Sequence, residues 1–273
     1  MELLGVSYKL DLDACEADGA SNPVVERKRH TFEELVKLFE NGRRLPLQDV
    51  VELLTEEIKL AKTRDRLVTL KGSQSHRRVF AIGDLHSGYT VFLQFFAEAL
   101  KYDNWTFVLM GNYLNKGVNG CELLILLLTL RRHYPDRVIL RRGLHETQPL
   151  TDSFEFRKEC VGKYGEYVYN LFLRLLVTLS LACYLETDYG DILFVHGGLS
   201  PHFATTVDIA AIKSDKDPDM DEPSALLDIL AGDLYPASFR SAAFCCFARK
   251  TRNWDLLSNR NCRHILSSFY PCH

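Results

Sequence analysis

Four short apolar segments of this chain each end close to a glycine that is flanked by polar residues. They are Val79–Ile82, Trp105–Met110, Arg137–Leu140 and Ile192–Val195. Short apolar runs of this kind are typical of buried β-strands, and segments with helical spacing of apolar residues lie between most of them. This alternation predicts an α/β fold. Because ligands bind at the carboxyl ends of strands in such folds, we expect the polar residues after these segments to meet in one site.

The polar residues that follow the four predicted strands are of types that bind metal ions and transfer protons. They are Asp84 and His86, Asn112 and Asn115, His145 and Glu146, and finally His196. Asp and His two residues apart point to the same side of an extended segment, so both can reach a single divalent ion. Alone, that pair fits equally well a capping Asp and a half-buried His. His, Asp and Asn from separate strand ends, however, are what a two-metal hydrolytic site needs, with one imidazole left as general acid.

Composition limits the compartment and the kind of partner. The chain has 273 residues, of which 47% are apolar and 25% charged, and its formal net charge is -3. This balance predicts neither a nucleic-acid partner nor a membrane partner. The longest apolar runs, Cys121–Leu130 and Leu171–Cys183, are too short or too polar to span a bilayer. The acidic N-terminus does not resemble a signal peptide, and the eight cysteines are expected to be reduced, which predicts a cytoplasmic or nuclear protein.

We divide the chain into three parts. Residues 1–30 are predicted to be a loosely ordered acidic arm, residues 31–236 the α/β domain, and residues 237–273 a divergent C-terminal segment. Thr31 and Glu34 have the spacing of a capping box at the start of the first helix. Helical spacing of apolar residues predicts further helices at Leu47–Ala61, Val91–Leu100, Gly120–Arg132, Phe154–Gly162 and Tyr167–Leu179. The acidic run Asp215–Glu222 is predicted to be a solvated loop.

The order and spacing of the four segments resemble the phosphoprotein phosphatase (PPP) family of serine/threonine phosphatases. The signatures of that family are Gly-Asp-x-His-Gly, Gly-Asp-x-Val-Asp-Arg-Gly, Arg-Gly-Asn-His-Glu and His-Gly-Gly. The corresponding stretches here begin at Gly83, Gly111, Arg142 and His196. The likeness covers residues 30–235. It implies a calcineurin-like metallophosphoesterase β-sandwich flanked by helices, here with incomplete C-terminal strands.

The resemblance implies a role for each matching position. The implied metal ligands are Asp84, His86, Asn112 and His196. His145 takes the place of the general acid that protonates the leaving oxygen, and Asn115 takes the place of the acid that orients it. Lys116 replaces an arginine that holds the substrate phosphate, and Arg142 is a second candidate for substrate binding. The implied cofactor is a divalent metal (manganese, iron or zinc), as one ion or none, or as two ions if the site is completed.

The chain departs from the family pattern at the site itself. Asn112 replaces the bridging carboxylate, although two divalent ions about 3.7 Å apart repel by roughly 18 kcal/mol at an effective dielectric constant of about 20. Leu144 stands in place of an asparagine ligand and cannot bind a metal. Asn115 does not supply the charge that would stabilise a protonated general acid. Ser87 replaces a glycine, and we expect Gly88 to restore part of the backbone freedom.

Two functions remain open from the sequence. The first is a pseudophosphatase that keeps the PPP fold and works by binding a phosphoprotein or a regulatory protein without turnover. The second is an active metal-dependent serine/threonine phosphatase that hydrolyses phosphoprotein monoesters at a reduced rate by metal-activated water, with one metal or with ligands from the tail. We favour the first, because residues that act as a unit do not compensate easily for one another.

Overall fold

A computed structural model describes residues 30–61, 63–71, 78–102, 104–187, 190–200 and 205–231, and the backbone of 245–249 and 255–256. The predicted N-terminal arm, except His30, lies outside the described residues. So does the predicted domain boundary after residue 236. The helices in the described part are too short or too polar to cross a lipid bilayer.

The helices and strands alternate through the first part of the domain. The helices are α1 (Phe32–Glu40), α2 (Leu47–Ala61), α3 (Tyr89–Ala99), α4 (Gly120–His133), α5 (Gln148–Ser153), α6 (Glu155–Tyr164), α7 (Glu166–Leu176), α8 (Thr206–Ala210) and α9 (Ala225–Ala231). The strands are β1 (Leu67–Leu70), β2 (Arg78–Ile82), β3 (Trp105–Leu109), β4 (Val138–Leu140), β5 (Ala182–Leu185), β6 (Asp191–Val195), β7 (Cys245–Arg249) and β8 (Asp255–Leu256). A 3-10 turn, Leu144–Glu146, follows β4.

The strands form two sheets. In the first, β2, β3 and β4 run parallel, with Val108 in the middle strand paired to Ala81 and Ile139. In the second, β1 is parallel to β5, and β5, β6, β7 and β8 continue in antiparallel order. The edge of β6 is therefore paired with β7, although the resemblance implied incomplete C-terminal strands.

The two sheets pack face to face and helices cover both outer faces. The layer between the sheets contains apolar side chains from β1, β3, β4, β5 and β6, namely Leu70, Val108, Ile139, Leu185 and Phe194 with their neighbours. The helices α1 to α4, α6 and α7 contribute to a large core together with β3. Ile209 and Ile229, from α8 and α9, pack against β5 and β6 on the other side. The predicted β-sandwich flanked by helices is confirmed.

Apolar spacing located the long elements correctly. The capping box of Thr31 and Glu34 is formed, with hydrogen bonds of 3.2 Å and 3.1 Å, and α2 has the predicted bounds. The short helices α5, α8 and α9 were missed, because five to seven residues give too few turns for a periodic pattern.

Candidate active site

Two glycines bring the loops after β3 and β4 into direct contact. Gly111 has φ +101, and a Cβ placed there would lie 2.5 Å from the backbone nitrogen of Gly143. A Cβ on Gly143 would in turn lie 2.7 Å from both the backbone nitrogen and Oδ1 of Asn112. Neither position accepts a side chain, and this close approach places Asn112 beside the backbone of His145.

The Asn112 side chain is held at both ends of its amide. Its Oδ1 accepts a hydrogen bond of 2.9 Å from the backbone N–H of His145. Its Nδ2 donates a hydrogen bond of 3.0 Å to Oδ2 of Asp84. The side chain is buried, and these two bonds fix which atom faces Asp84. The group facing the Asp84 carboxylate is consequently a hydrogen-bond donor.

Asp84, His86 and Lys116 form a chain of polar contacts. Nε2 of His86 lies 3.2 Å from Oδ2 of Asp84 and 3.0 Å from Nζ of Lys116. Nδ1 of His86 lies 2.9 Å from the carbonyl oxygen of Leu114, so Nδ1 carries a proton and donates it. The hydrogen bond to Asp84 raises the pKa of His86 above its ordinary value. Burial opposes ionisation of Asp84, but hydrogen bonds from His86 and Asn112 lower its pKa.

The site loops hold several residues in the left-handed region of backbone conformation. In the described part of the chain the non-glycine residues with positive φ are His86, Ser87, Asn112, Asn115 and Lys116. Left-handed conformations are costly for residues other than glycine, although asparagine tolerates them best. Clustering of such residues in one place is typical of functional sites.

The prediction that Gly88 restores part of the backbone freedom is wrong. Ser87 itself has φ +64, whereas Gly88 has φ -83, a value that any residue adopts. Gly88 is instead needed for space, because a Cβ there would lie 2.7 Å from the carbonyl oxygen of Leu85. Ser87 therefore keeps the strain that a glycine at its position would relieve.

His145 is bound by the Asn115 amide. Nδ2 of Asn115 lies 2.8 Å from Nδ1 of His145 and donates to it, because Oδ1 of Asn115 accepts a hydrogen bond of 3.2 Å from the backbone N–H of Phe156. Nδ1 of His145 is thus the acceptor, and the ring proton lies on Nε2. Burial, reinforced by the nearby charges of His86 and Lys116, lowers the pKa of His145 to about 4.

Glu146 organises the backbone beneath the site. Its carboxylate accepts hydrogen bonds from the backbone N–H groups of Asn112 (2.7 Å), Tyr113 (2.8 Å) and Gly143 (2.9 Å). Burial raises the pKa of Glu146 to about 7, and the three N–H donors oppose that change. In the sequence, Glu146 is one of the polar residues at the predicted strand ends, and no role was predicted for it. The structure shows that it joins the loops after β3 and β4.

His196 reaches the site from the second sheet, at the end of β6. Its Nδ1 lies 2.7 Å from the carbonyl oxygen of Met110 and donates to it, which leaves the lone pair of Nε2 unprotonated. The side chain is buried, and burial lowers its pKa to about 4. The negative charge of Asp84 partly opposes this lowering of the pKa. The convergence of Asp84, Asn112, His145 and His196 from separate strand ends is as expected from the sequence.

Arg142 does not occupy the predicted substrate-binding position. Its side chain is completely buried, and its guanidinium is bonded to the carboxylate of Asp217 and to the carbonyl oxygens of Ser214 (3.5 Å) and Lys216 (3.4 Å). It therefore fastens the acidic segment 215–222 to the loop after β4. Asp217, in a run predicted to be a solvated loop, is the residue that sequence reasoning missed.

Leu144, the first residue of the 3-10 turn, lines a cavity. Together with Leu150, Met220 and Leu227 it lines a cavity of about 490 Å³. Its side chain contributes apolar surface there and no ligand atom.

The donor set does not fit the two-metal centre that the family implies. Such a centre needs a bridging group with a lone pair toward each ion, but the Asn112 amide presents its Nδ2–H to Asp84. Leu144 offers no ligand atom, and Nε2 of His86 contacts both Asp84 and Lys116. Two groups do keep a ligand atom: Nε2 of His196, and Oδ1 of Asp84, which is buried without a hydrogen-bond partner among the described residues.

Known proteins share the fold of this chain. The calcineurin-like phosphoesterase family matches residues 77–264, a range that crosses the predicted boundary at residue 236. A serine/threonine-protein phosphatase of Saccharomyces cerevisiae, PP2A-like PPG1, is 31% identical over 157 residues, which are 57% of this chain and 41% of that protein. The chain thus spans less than half of this relative.

A solved structure shows the same fold. It is that of a protein serine/threonine phosphatase from Saccharomyces cerevisiae with similarity to human phosphatase PP5. The TM-score is 0.66 at 24% sequence identity, over 74% of this chain and 65% of the other. With two thirds of its length matched by the family and its strand-end residues converging at one site, the chain belongs to the calcineurin-like phosphoesterase family.

Proposed function

We propose that this chain is a PPP-type phosphatase-like protein that binds phosphorylated proteins and hydrolyses them poorly or not at all. The observation that carries the proposal is the orientation of the Asn112 amide, whose Nδ2 donates to Asp84 while its Oδ1 accepts from the backbone of His145. An aspartate at this position would turn a lone pair and a negative charge toward Asp84. The amide turns a proton there, and the bridge between two cations is lost.

The state of His145 supports the same proposal. A general acid at neutral pH needs a pKa close to the working pH, because the protonated form must be both populated and acidic. The Asn115 amide donates to Nδ1, so protonating that nitrogen would break a 2.8 Å hydrogen bond. His145 is therefore held neutral, and its remaining Nε2–H is a hydrogen-bond donor and a weak acid.

The same groups still suit the binding of a phosphate. Lys116 is exposed, and its ammonium has three N–H groups, of which one is directed at His86. The ring of His145, whose proton is on Nε2, lies beside that of His86, edge to face with centroids 4.8 Å apart. An ammonium and an imidazole N–H can hold phosphate oxygens. A phosphorylated serine or threonine in a protein is the corresponding ligand.

Slow phosphatase activity is the second candidate. It is favoured by Oδ1 of Asp84, a buried carboxylate oxygen without a hydrogen-bond partner among the described residues, and by Nε2 of His196, which carries no proton because Nδ1 donates to the carbonyl of Met110. A buried oxygen of this kind normally has a partner. The two candidates differ in turnover and agree on phosphate binding.

A binding measurement tests the proposal. Fluorescence polarisation with a phosphoserine peptide and its unphosphorylated counterpart should show binding of the phosphorylated form alone, in the presence of EDTA. Lys116→Ala should weaken that binding about tenfold or more, the equivalent of roughly 1.4 kcal/mol. Lys158→Ala, at an exposed position on α6, is the matched control and should have no effect. Equal affinity for the two peptides would refute phosphoprotein recognition by this site.

A further inference from the structure

A continuous chain of polar contacts joins Lys116 to Asn112 through the predicted metal ligands. Nζ of Lys116 is 3.0 Å from Nε2 of His86, Nε2 is 3.2 Å from Oδ2 of Asp84, and Oδ2 is 3.0 Å from Nδ2 of Asn112. A nitrogen donor therefore stands at each end of the chain. In the middle are the imidazole and carboxylate to which the family resemblance assigns the first metal.

Nε2 of His86 is already engaged, by a hydrogen bond or by a proton, whether the ring is neutral or protonated. Because Nδ1 donates to the carbonyl of Leu114, only Nε2 can bind a metal. If the ring is neutral, Nε2 accepts a hydrogen bond from the Lys116 ammonium. If the ring is protonated, Nε2–H donates to Asp84. Neither state leaves a lone pair for a divalent ion.

The Lys116 side chain is directed by its backbone. Lys116 has φ +53, and its N–H donates a hydrogen bond of 3.0 Å to Oε2 of Glu155 at the start of α6. The neighbouring Asn115 is anchored to the backbone of Phe156 in the same helix. The loop is thus tied to α6 at two successive residues, and this arrangement sets the direction from which the ammonium approaches His86.

We propose that the Lys116 ammonium takes the place of the first divalent cation, so that the site is held together by an internal cation and does not recruit a metal. A compact ammonium with three N–H groups can replace a cation beside an imidazole and a carboxylate. The positive charge that would attract a phosphate is then part of the chain itself. This inference deepens the proposed function, since it concerns the same site, but it predicts metal affinity and not turnover.

The test is titration of the purified chain with Mn²⁺, using calorimetry and the paramagnetic signal of free Mn²⁺. The wild type should bind Mn²⁺ no more tightly than about 1 mM. Lys116→Met, which keeps the chain length and removes the ammonium, should bind Mn²⁺ at least tenfold more tightly. Lys158→Met is the control for loss of an exposed lysine and should bind Mn²⁺ as the wild type does.

Thermal unfolding provides a second readout that does not depend on calorimetric heat. Mn²⁺ should raise the Tm of Lys116→Met and leave that of the wild type unchanged, since a ligand stabilises only the form that it binds. Micromolar binding of Mn²⁺ by the wild type, or no gain in affinity in Lys116→Met, would overturn the role of Lys116. Failure to bind phosphopeptide would instead overturn the proposed function and leave this result standing.

Discussion

The amide nitrogen of Asn115 donates a hydrogen bond to Nδ1 of His145 over 2.8 Å. A carboxylate in place of this amide would accept a hydrogen bond from Nδ1–H and favour the charged ring. The amide has the opposite effect, because its second hydrogen bond, to the carbonyl of Leu150 at 3.3 Å, and its contact with Phe156 prevent it from turning over. One substitution relative to the family pattern therefore reverses the protonation of the ring that would act as general acid.

Asn115→Asp should move the proton of His145 from Nε2 to Nδ1 and raise the pKa of the ring. The reason is that the new carboxylate accepts a hydrogen bond and stabilises the imidazolium. Nitrogen-15 NMR of the histidine side chains distinguishes the two tautomers. His133 is an internal control, since its Nδ1 lies 2.8 Å from the carbonyl of Thr129 and should keep its proton in both proteins. A wild-type His145 protonated at Nδ1 would contradict the assignment.

The Ser87→Gly variant should be more stable than the Ser87→Ala variant by about 1 kcal/mol. The reason is that alanine at position 87 must adopt a left-handed conformation against steric repulsion, whereas glycine adopts it freely. Both variants lose the 3.3 Å hydrogen bond from the Ser87 hydroxyl to the carbonyl of Asn115, so that loss cancels in the comparison. Ser153, the last residue of α5, is the matched control, and there alanine should be the more stable. Urea unfolding measures both pairs, and equal stability of the two variants at position 87 would show that its backbone is unstrained.

Glu146→Gln should destabilise the fold by about 2–4 kcal/mol, since the buried amide would direct N–H groups toward backbone N–H donors. The carboxylate accepts from three such donors, at 2.7, 2.8 and 2.9 Å. Glu155→Gln is the control. It also alters a carboxylate that accepts a backbone N–H, that of Lys116, but at an exposed position. The denaturant midpoint of Glu146→Gln should be clearly lower than that of Glu155→Gln. A Glu146→Gln protein as stable as the wild type would show that Glu146 does not stabilise the backbone beneath the site.

Asp217→Asn should destabilise the fold by about 2–4 kcal/mol, because it leaves the completely buried guanidinium of Arg142 without its charged partner. The nearby Asp219→Asn substitution tests the effect of removing an acidic charge from the same loop. Asp219 is exposed, and its Oδ1 accepts the backbone N–H of Asp221, a contact that asparagine can also make. Thermal unfolding should show a lower Tm for the first variant alone. Equal midpoints would mean that the Arg142 contact adds nothing to stability.

The sequence predicted which residues meet at the site because strand-end position is a local property. Asp84, Asn112 and His145 follow the apolar runs that form the parallel strands β2, β3 and β4, whose carboxyl ends meet at one edge of a sheet. His196 also follows a short apolar run, but it reaches the same place from the second sheet. Helix and strand bounds followed from apolar spacing for the same reason, as α2 shows. The contacts around each residue depend on the packing of distant segments and could not be predicted in this way.

Three residues illustrate that limit. Asp217 lies in an acidic run that resembles a solvated loop, yet it is the partner of Arg142 across 75 positions of sequence. Ser87 adopts φ +64 because hydrogen bonds to the next loop, such as that from its N–H to the carbonyl of Tyr113, hold it there. Lys116 was expected to face a phosphate, and its approach to His86 depends on the anchoring of its loop to α6.

The most direct measurement is phosphate release from a phosphoserine peptide in the presence of excess Mn²⁺. It compares the wild type, Asp84→Ala, and a variant that restores the family residue at four positions through Asn112→Asp, Asn115→Asp, Lys116→Arg and Leu144→Asn. We predict that the wild type releases no more phosphate than Asp84→Ala does, and that the quadruple variant gains turnover. Phosphate release by the wild type that Asp84→Ala abolishes would contradict the account and establish the chain as a working phosphatase.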